Sequence, residues 1–200
     1  MSRTAYLSTG RRLLLAMLAT GFIGVATTAH AQGFISPIIG YDFGGDAKCP
    51  KTNLLNCKDS RLNIGVGIGA MGTFLGVEEE IAYAPDFFGS GTGLSSSVLT
   101  AMSNVMLAPK IGPVRPYVLA GVGLMKSHVE LTQASILTTD NNTFGWDIGG
   151  GVMGFLGSHL GLRADLRYFH SFQDLNVLGF TLDNSKLNFG RASAGVVLKF

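Results

Sequence analysis

The chain ends with the stretch KLNFGRASAGVVLKF, residues 186–200, and this stretch decides the fold. Counting back from the last residue, one set of alternate positions is apolar or small: Phe200, Leu198, Val196, Ala194 and Ala192. The positions between them are polar or small for the most part: Lys199, Val197, Gly195, Ser193 and Arg191. This period of two predicts a β-strand with two unlike faces. A soluble sheet seldom ends on an exposed apolar residue, whereas a strand that closes a membrane barrel can, because lipid solvates that face. An ordinary C-terminal strand that happens to end in Phe is the alternative.

Composition favours the barrel. The length of 200 residues indicates one domain, charged residues make up only 14%, and 28 residues are Gly. After the N-terminus, no stretch is long and apolar enough for a transmembrane helix. Many glycines, few charges and short alternating segments are typical of an all-β, eight-stranded antiparallel up-and-down transmembrane β-barrel.

Residues 1–31 have the pattern of a cleaved signal peptide. Arg3, Arg11 and Arg12 precede an apolar run over residues 13–25, and Ala29-His30-Ala31 is a small-x-small cleavage site before Gln32. A retained helical anchor is the alternative, but the run is short for one. We therefore predict cleavage between Ala31 and Gln32, a signal peptide over 1–31 and a barrel over 32–200.

Cleavage changes the net charge. Removing three Arg lowers the basic count from 15 to 12 against 13 acidic residues, which leaves the exported chain at −1. The sequence therefore gives no case for nucleic-acid binding.

The two cysteines, Cys49 and Cys57, lie in a polar segment. An exported chain passes through an oxidising compartment, so we expect a disulfide rather than two free thiols. Two cysteines without a nearby His are too few for a zinc site, and we expect no metal and no cofactor.

Eight alternating segments follow residue 32, over 34–43, 61–70, 73–83, 97–107, 116–129, 143–156, 161–172 and 186–200. The connections alternate between long and short, and the long ones are predicted over 44–60, 85–96, 131–142 and 174–185. Outer-membrane barrels have this asymmetry, with short periplasmic turns and long external loops. Five aromatic residues fall near the predicted external ends of their strands, as in an interfacial girdle: Tyr41, Phe43, Tyr83, Trp146 and Tyr168.

The polar faces point into the predicted barrel. Cations such as Arg163 and Arg167 are costly on a lipid face, about 2–4 kcal/mol near the midplane. Eight glycines share parity with the polar residues, where they would leave room for large neighbours: Gly65, Gly67, Gly69, Gly121, Gly123, Gly149, Gly151 and Gly195. Seven charged residues are predicted to form a network of ion pairs in the lumen: Glu78, Glu80, Asp147, Arg163, Asp165, Arg167 and Arg191. Glu79 falls on the lipid parity, and we expect a β-bulge or a local register change there.

Two resemblances add to this. Ser193, Gly195, Leu198 and Phe200 resemble the C-terminal assembly signal of bacterial outer-membrane proteins, which implies that the barrel-assembly machinery reads this strand. The whole region 34–200 resembles the small outer-membrane β-barrel family of the OmpA/OmpX type, chiefly through RPYVLAGVG (115–123) and GLRADLRY (161–168). The resemblance implies residence in the bacterial outer membrane. Members of this family often carry a periplasmic domain after the barrel. Because this chain stops at Phe200, we expect it to lack any role that needs such a domain.

Three functions are compatible with this sequence. The first is a non-enzymatic barrel with a plugged lumen, a structural or surface-interaction role and possible ligand contact through its long loops. The second is a narrow porin-like channel for small solutes. The third is a lipid A-modifying enzyme using His170 and Ser171, with Glu130 or Asp174 as the acid. Neighbouring residues on a strand face opposite ways, which argues against the enzyme. We expect a monomer whose partners are outer-membrane lipids.

Overall fold

The structure, a computed structural model, describes residues 31–44, 61–87, 94–131, 137–177 and 180–200. Eight strands follow one another: β1 (Gln32–Phe43), β2 (Leu62–Met71), β3 (Leu75–Pro85), β4 (Leu94–Leu107), β5 (Val114–Leu131), β6 (Leu137–Phe155), β7 (Leu160–Val177) and β8 (Phe180–Lys199). The described residues include no helix of the length and apolarity needed to cross a membrane.

The strands form a closed antiparallel barrel, which confirms the predicted fold. Each strand pairs with the next, and β1 pairs with β8 from Phe34↔Lys199 to Phe43↔Gly190. The pairing of the first and last strands therefore closes the sheet. At the end of the barrel that holds Gln32 and Lys199, called the terminal end below, the connections are short. There the Gly72 amide donates to the Leu75 carbonyl at 2.8 Å, and the Leu156 amide to the Leu160 carbonyl at 2.9 Å.

At the opposite end, called the hairpin end, the strands extend further than predicted. β5 and β6 remain paired as far as Leu131↔Leu137, and β7 and β8 as far as Val177↔Phe180. The predicted loops over 131–142 and 174–185 are therefore mostly strand, and that prediction was wrong. Residues 138–142 are polar at both parities, so the alternation that marks a strand with one lipid face is missing there, while backbone pairing needs no such pattern. In β7, the apolar residues Leu175 and Val177 lie on the parity opposite to that of Leu166, and the register of β7 and β8 shifts between His170 and Asp174.

The two faces of the sheet are inverted relative to a soluble barrel. Large aliphatic side chains lie exposed on the outside, among them Ile64 at 63%, Val105 at 62% and Leu166 at 60%. Charged side chains lie inside, and Arg163, Arg167 and Arg191 are at most 3% exposed. The apolar parity thus faces outward, as in a barrel solvated by lipid.

The interior consists of three layers. An apolar cluster, the hairpin-end cluster, fills the barrel near the long hairpins: Ala84, Phe87, Val98, Met102, Met125, Phe169, Leu187 and Phe189. A second, the terminal-end cluster, fills it near the short turns: Phe34, Met71, Met106, Ala108, Tyr117, Leu119, Met153 and Val197. The buried charges lie between the two clusters. The prediction of a polar inner face missed these apolar layers, because their residues share parity with the polar ones.

Candidate functional site in the barrel interior

The charged layer is centred on Glu78, which crosses the lumen from β3 to reach two arginines of β7. Its Oε2 accepts from Arg163 Nη1 at 2.5 Å, and its Oε1 accepts from Arg167 Nη2 at 2.7 Å. All three side chains are fully buried. Glu78 and the arginines therefore join opposite walls of the barrel through charge-assisted hydrogen bonds, which are the strong ones.

Asp165 holds the two arginines in place. Its Oδ2 accepts from Arg163 Nε at 3.1 Å, Arg163 Nη2 at 2.9 Å and the Tyr117 hydroxyl at 2.7 Å. Its Oδ1 accepts from Arg167 Nε at 3.2 Å and the Ser193 hydroxyl at 2.7 Å. This carboxylate is saturated with donors from β5, β7 and β8, as a buried charge requires.

Glu80 and Asp147 are bound less completely. Arg167 Nη2 lies 2.8 Å from Glu80 Oε2, but the angle is poor, and Glu80 accepts no hydrogen bond from any described residue. Arg167 Nη1 lies 3.6 Å from Asp147 Oδ2. With its amide oriented to donate, Asn104 bonds Asp147 Oδ1 at 2.8 Å. Arg167 thus faces four carboxylates, and Asp147 lies farthest from it.

A second group joins β1 to β8. Arg191 Nε donates to Asp42 Oδ1 at 2.7 Å, and Arg191 Nη1 donates to Thr100 Oγ1 at 3.1 Å. Asn63 donates to the same Asp42 oxygen at 2.9 Å. Arg191 also lies 3.8 Å from Glu80, which connects the two groups, and its guanidinium stacks 4.9 Å from the Phe169 ring centroid. Arg191 is therefore both an ion-pair partner and the contact between the charged layer and the hairpin-end cluster.

Glycines provide the space for this layer, as their parity suggested. A Cβ on Gly67 would lie 2.9 Å from Glu78 Oε2, and one on Gly149 would lie 2.8 Å from Arg167 Cγ. Both are tighter than ordinary contacts, so larger residues would displace the ion pairs.

All seven charged residues predicted for the lumen lie in this layer. Sequence reasoning missed five further members: Asp42, Asn63, Thr100, Asn104 and Tyr117. Asp42 has the same parity in β1 as the buried residue Ser36, but the sequence does not show which residues it pairs with. Tyr117 has the parity of Leu119 in a strand apolar on both faces, so alternation gave no signal for it.

The predicted β-bulge or register change at Glu79 is wrong. The pairing of β3 is continuous through Ile68↔Glu79 on one side and Glu79↔Ser103 on the other, so neither a bulge nor a register change occurs. The side chain instead stays on the outer face, where its Oε2 accepts from the Ser103 hydroxyl at 2.6 Å. A cross-strand donor replaces the expected backbone irregularity.

The predicted girdle residues lie on the outside at the level where β1 ends, because Phe43 and Tyr168 both pair with Gly190. Tyr41, Phe43, Tyr83 and Tyr168 are 40–46% exposed, and Trp146 packs edge-on against Tyr168 at 5.9 Å. His170 belongs to the same outer patch, stacked on Tyr168 at 6.3 Å and 5.6 Å from Trp146.

The His170–Ser171 pair does not assemble. Ser171 points inward with no exposed surface, and its hydroxyl accepts from the Leu187 amide at 2.9 Å. The two side chains lie on opposite faces of β7, so this serine has no base at His170.

The predicted assembly-signal residues divide between the faces. Ser193 bonds Asp165 inside, and a Cβ on Gly195 would lie 2.8 Å from Ile38 Cγ2. Leu198 and Phe200 are 44% and 77% exposed outside.

The disulfide and the signal peptide stay predictions. Cys49 and Cys57 lie outside the described residues, as does the signal peptide except for its last residue, Ala31. Within the described ranges, no cluster of three or more His, Cys, Asp or Glu could hold a metal ion.

Comparison with known proteins agrees with this architecture. A family model described as "Outer membrane protein beta-barrel domain" matches residues 15–200. No curated protein sequence matches the chain.

Three solved structures are similar in fold at low sequence identity. Neisserial surface protein A (NspA) aligns with a TM-score of 0.59 and 15% identity, covering 85% of this chain and 97% of that one. OprG from Pseudomonas aeruginosa aligns with a TM-score of 0.55 and 15% identity, covering 86% and 97%. Ail from Yersinia pestis, in complex with the heparin analogue sucrose octasulfate, aligns with a TM-score of 0.53 and 12% identity, covering 86% and 99%.

Proposed function

Because the chain belongs to the outer membrane protein beta-barrel domain family and is a bacterial outer-membrane protein, we propose that it is a closed, non-enzymatic barrel with a structural or surface-interaction role. Its lumen does not conduct, and the external ends of its hairpins contact the surroundings. The filled, three-layered interior is the observation that carries this proposal.

The layers close the lumen in two different ways. The two apolar clusters exclude water above and below, and the charged layer joins opposite walls by direct hydrogen bonds. An ion crossing the barrel would have to displace buried aromatic rings and break fully buried ion pairs. This favours a plug over the narrow porin-like channel.

Orientation follows from the asymmetry of the two ends. We place the terminal end in the periplasm and the hairpin end outside, as in other barrels with short periplasmic turns. The connection over 45–60, which would then be external, contains Cys49 and Cys57, and their disulfide remains part of the proposal. Ail, a barrel of similar fold, is in complex with a heparin analogue. For this chain, partner contact through external segments is proposed only as a class of function. The proposal also includes assembly by the barrel machinery, contact with outer-membrane lipid and a monomeric state.

Conductance across a planar bilayer tests the proposal. The refolded protein should give no steady channel at either polarity, and the expected trace is that of the bare bilayer. A refolded open porin serves as the positive control for insertion. Long-lived, uniform conductance steps from the protein would contradict the plugged lumen.

Lipid analysis tests the absence of enzyme activity. Lipid A incubated with the refolded protein should keep its acyl chains, as judged by mass spectrometry. Acyl loss that disappears in a His170→Ala variant would overturn the non-enzymatic assignment.

A further inference from the structure

A cavity of about 190 Å³ opens at the terminal end of the barrel, below the terminal-end cluster. Its walls come from the start of β1, the end of β8 and the residues at and beside three short turns: Gln32, Met71, Gly72, Thr73, Lys110, Arg115, Phe155 and Lys199. The volume is several times that of one water in the liquid, about 30 Å³, so the cavity has room for a small solute.

Three cations line this cavity, and none of its described lining residues is acidic. Lys110, Arg115 and Lys199 make no ion pair with any described residue, and this includes the terminal carboxylate of Phe200. Lys199 lies instead with its Nζ 3.8 Å from the Phe155 ring centroid. Lys110 and Arg115 act on Lys199 as like charges. Like charges held around one cavity repel one another unless an anion joins them.

Arg115 gives a second, independent observation at this cavity. It is only 7% exposed, and its Nη2 donates to the carbonyls of Gly72 at 2.6 Å and Thr73 at 3.2 Å. Its buried Nε has no acceptor. A buried guanidinium donor without a partner is rare in folded proteins and requires an explanation. The turn at Gly72 and Thr73 holds the guanidinium in the wall of the cavity, with its Nε donor unsatisfied by the described residues.

We propose that this cavity is a binding site for a small tetrahedral oxyanion, phosphate or a phosphate monoester, held by Arg115, Lys199 and Lys110. Guanidinium and ammonium groups together provide the planar and the point-charge contacts that bind phosphate oxygens. Cleavage after Ala31, predicted from the sequence, would add an α-amino group at Gln32, which lines the same cavity.

The location favours a soluble ligand over a lipid headgroup. Arg115 and Lys199 share parity with the lumenal residues of β5 and β8, such as Tyr117 and Val197. The cavity therefore opens along the barrel axis, whereas lipid contacts the outer wall. In the proposed orientation the ligand comes from the periplasm, although the site itself does not depend on any role of the external segments.

Titration of the full mature barrel with inorganic phosphate tests the site. The protein is refolded in a glycoside detergent, which has no phosphate group, and binding is followed by calorimetry at constant ionic strength. Saturable binding is expected, and a Lys110→Gln, Lys199→Gln double variant should raise the dissociation constant at least about tenfold, equivalent to about 1.4 kcal/mol. Refolding in vitro bypasses cellular assembly, so the change at Lys199 does not prevent preparation of the barrel.

Lys126→Gln is the matched control, because Lys126 is an exposed lysine near the hairpin end of β5. It should change the dissociation constant by less than about twofold, since salt screens charges at that distance. Arg115→Lys, which keeps the charge but lacks Nε, should also weaken binding. An equal loss in Lys126→Gln, or no saturation by phosphate, would overturn the proposal. Competition by phosphatidylglycerol vesicles as strong as that by phosphate would overturn the assignment to a soluble anion.

Discussion

At the scale of single residues, the carboxylates of the charged layer differ in how completely they are satisfied. Asp165 accepts five hydrogen bonds, from Tyr117, Arg163, Arg167 and Ser193. Among the described residues, Asp147 has one arginine partner, Arg167, at 3.6 Å. Among the described residues, the layer contains five buried carboxyl groups and three buried guanidinium groups: Asp42, Glu78, Glu80, Asp147 and Asp165, and Arg163, Arg167 and Arg191. One carboxylate can therefore be lost without giving the layer a net positive charge.

Asp165→Asn should therefore destabilise the barrel far more than Asp147→Asn. The first change leaves two buried arginines short of an anion and turns one acceptor into a donor facing donors, at a cost of about 3–5 kcal/mol. The second removes part of an excess of negative charge and should cost less than about 1.5 kcal/mol. Urea unfolding in lipid vesicles, followed by the single Trp146, gives both values. Equal losses would contradict the hydrogen-bond assignment.

Glu79 and Ser103 form a polar pair on the lipid face, and we expect them to be energetically coupled. Ser103→Ala should destabilise the barrel by about 1 kcal/mol, because Glu79 loses its donor. Glu79→Leu should stabilise it by about 1 kcal/mol, because an apolar residue replaces a carboxyl in the lipid band.

A double-mutant cycle measured by the same unfolding assay checks the pair. In the Glu79→Leu background, Ser103→Ala should change the free energy of unfolding by only a few tenths of a kcal/mol. An undiminished effect of Ser103→Ala there would show that the serine acts through something other than Glu79. Sequence could not predict this pair, because register, which places Ser103 opposite Glu79, is set by all eight strands together.

At the scale of elements, alternation predicted the strands best where one face meets lipid. β2, predicted over 61–70, runs from Leu62 to Met71, and the inward and outward parities in β8 were correct for Arg191 and Leu198. The hairpin extensions were missed because residues 138–142 are polar at both parities and because the register of β7 and β8 shifts between His170 and Asp174, where the apolar parity changes. Inward aromatic residues such as Phe169 and Phe189 were missed for a different reason. Their parity is polar elsewhere in the strand, and only depth along the barrel separates the layers.

The last strand allows assembly to be separated from stability. The Phe200 ring covers Gly33 across the seam, where a Cβ on Gly33 would lie 2.5 Å from it, while the Phe200 amide donates to the Gly33 carbonyl at 3.0 Å. Phe200→Ala keeps that backbone bond. If the terminal aromatic is an assembly signal, folded protein in the outer membrane should fall several-fold, with a loss of stability in vitro of only about 1 kcal/mol.

Phe74→Ala is the control for this experiment. Phe74 is an exposed aromatic residue in the β2–β3 turn at the same end of the barrel, 61% exposed against 77% for Phe200. The folded fraction in cells is measured by heat-modifiable gel mobility of outer-membrane preparations. Similar yields from the two variants would remove the special role of the terminal residue.

At the scale of the whole molecule, the order of layers explains why parity alone misjudged the interior. The parity of the charged residues and glycines predicted a polar lumen, yet two of its three layers are apolar. A charged layer enclosed in this way is screened from water at both ends, so its ion pairs are strong when complete and costly when broken. The cavity at the terminal end adjoins the terminal-end cluster, with which it shares Met71.

Orientation is the remaining property of the whole molecule, and surface labelling should establish it. In a background with Cys49→Ser and Cys57→Ser, Lys126→Cys and Lys110→Cys place one exposed thiol near each end of the barrel. A membrane-impermeant maleimide added to intact cells should label Lys126→Cys and leave Lys110→Cys unlabelled until the outer membrane is permeabilised. The reverse pattern would put the short turns outside, and the oxyanion cavity would then face the medium rather than the periplasm.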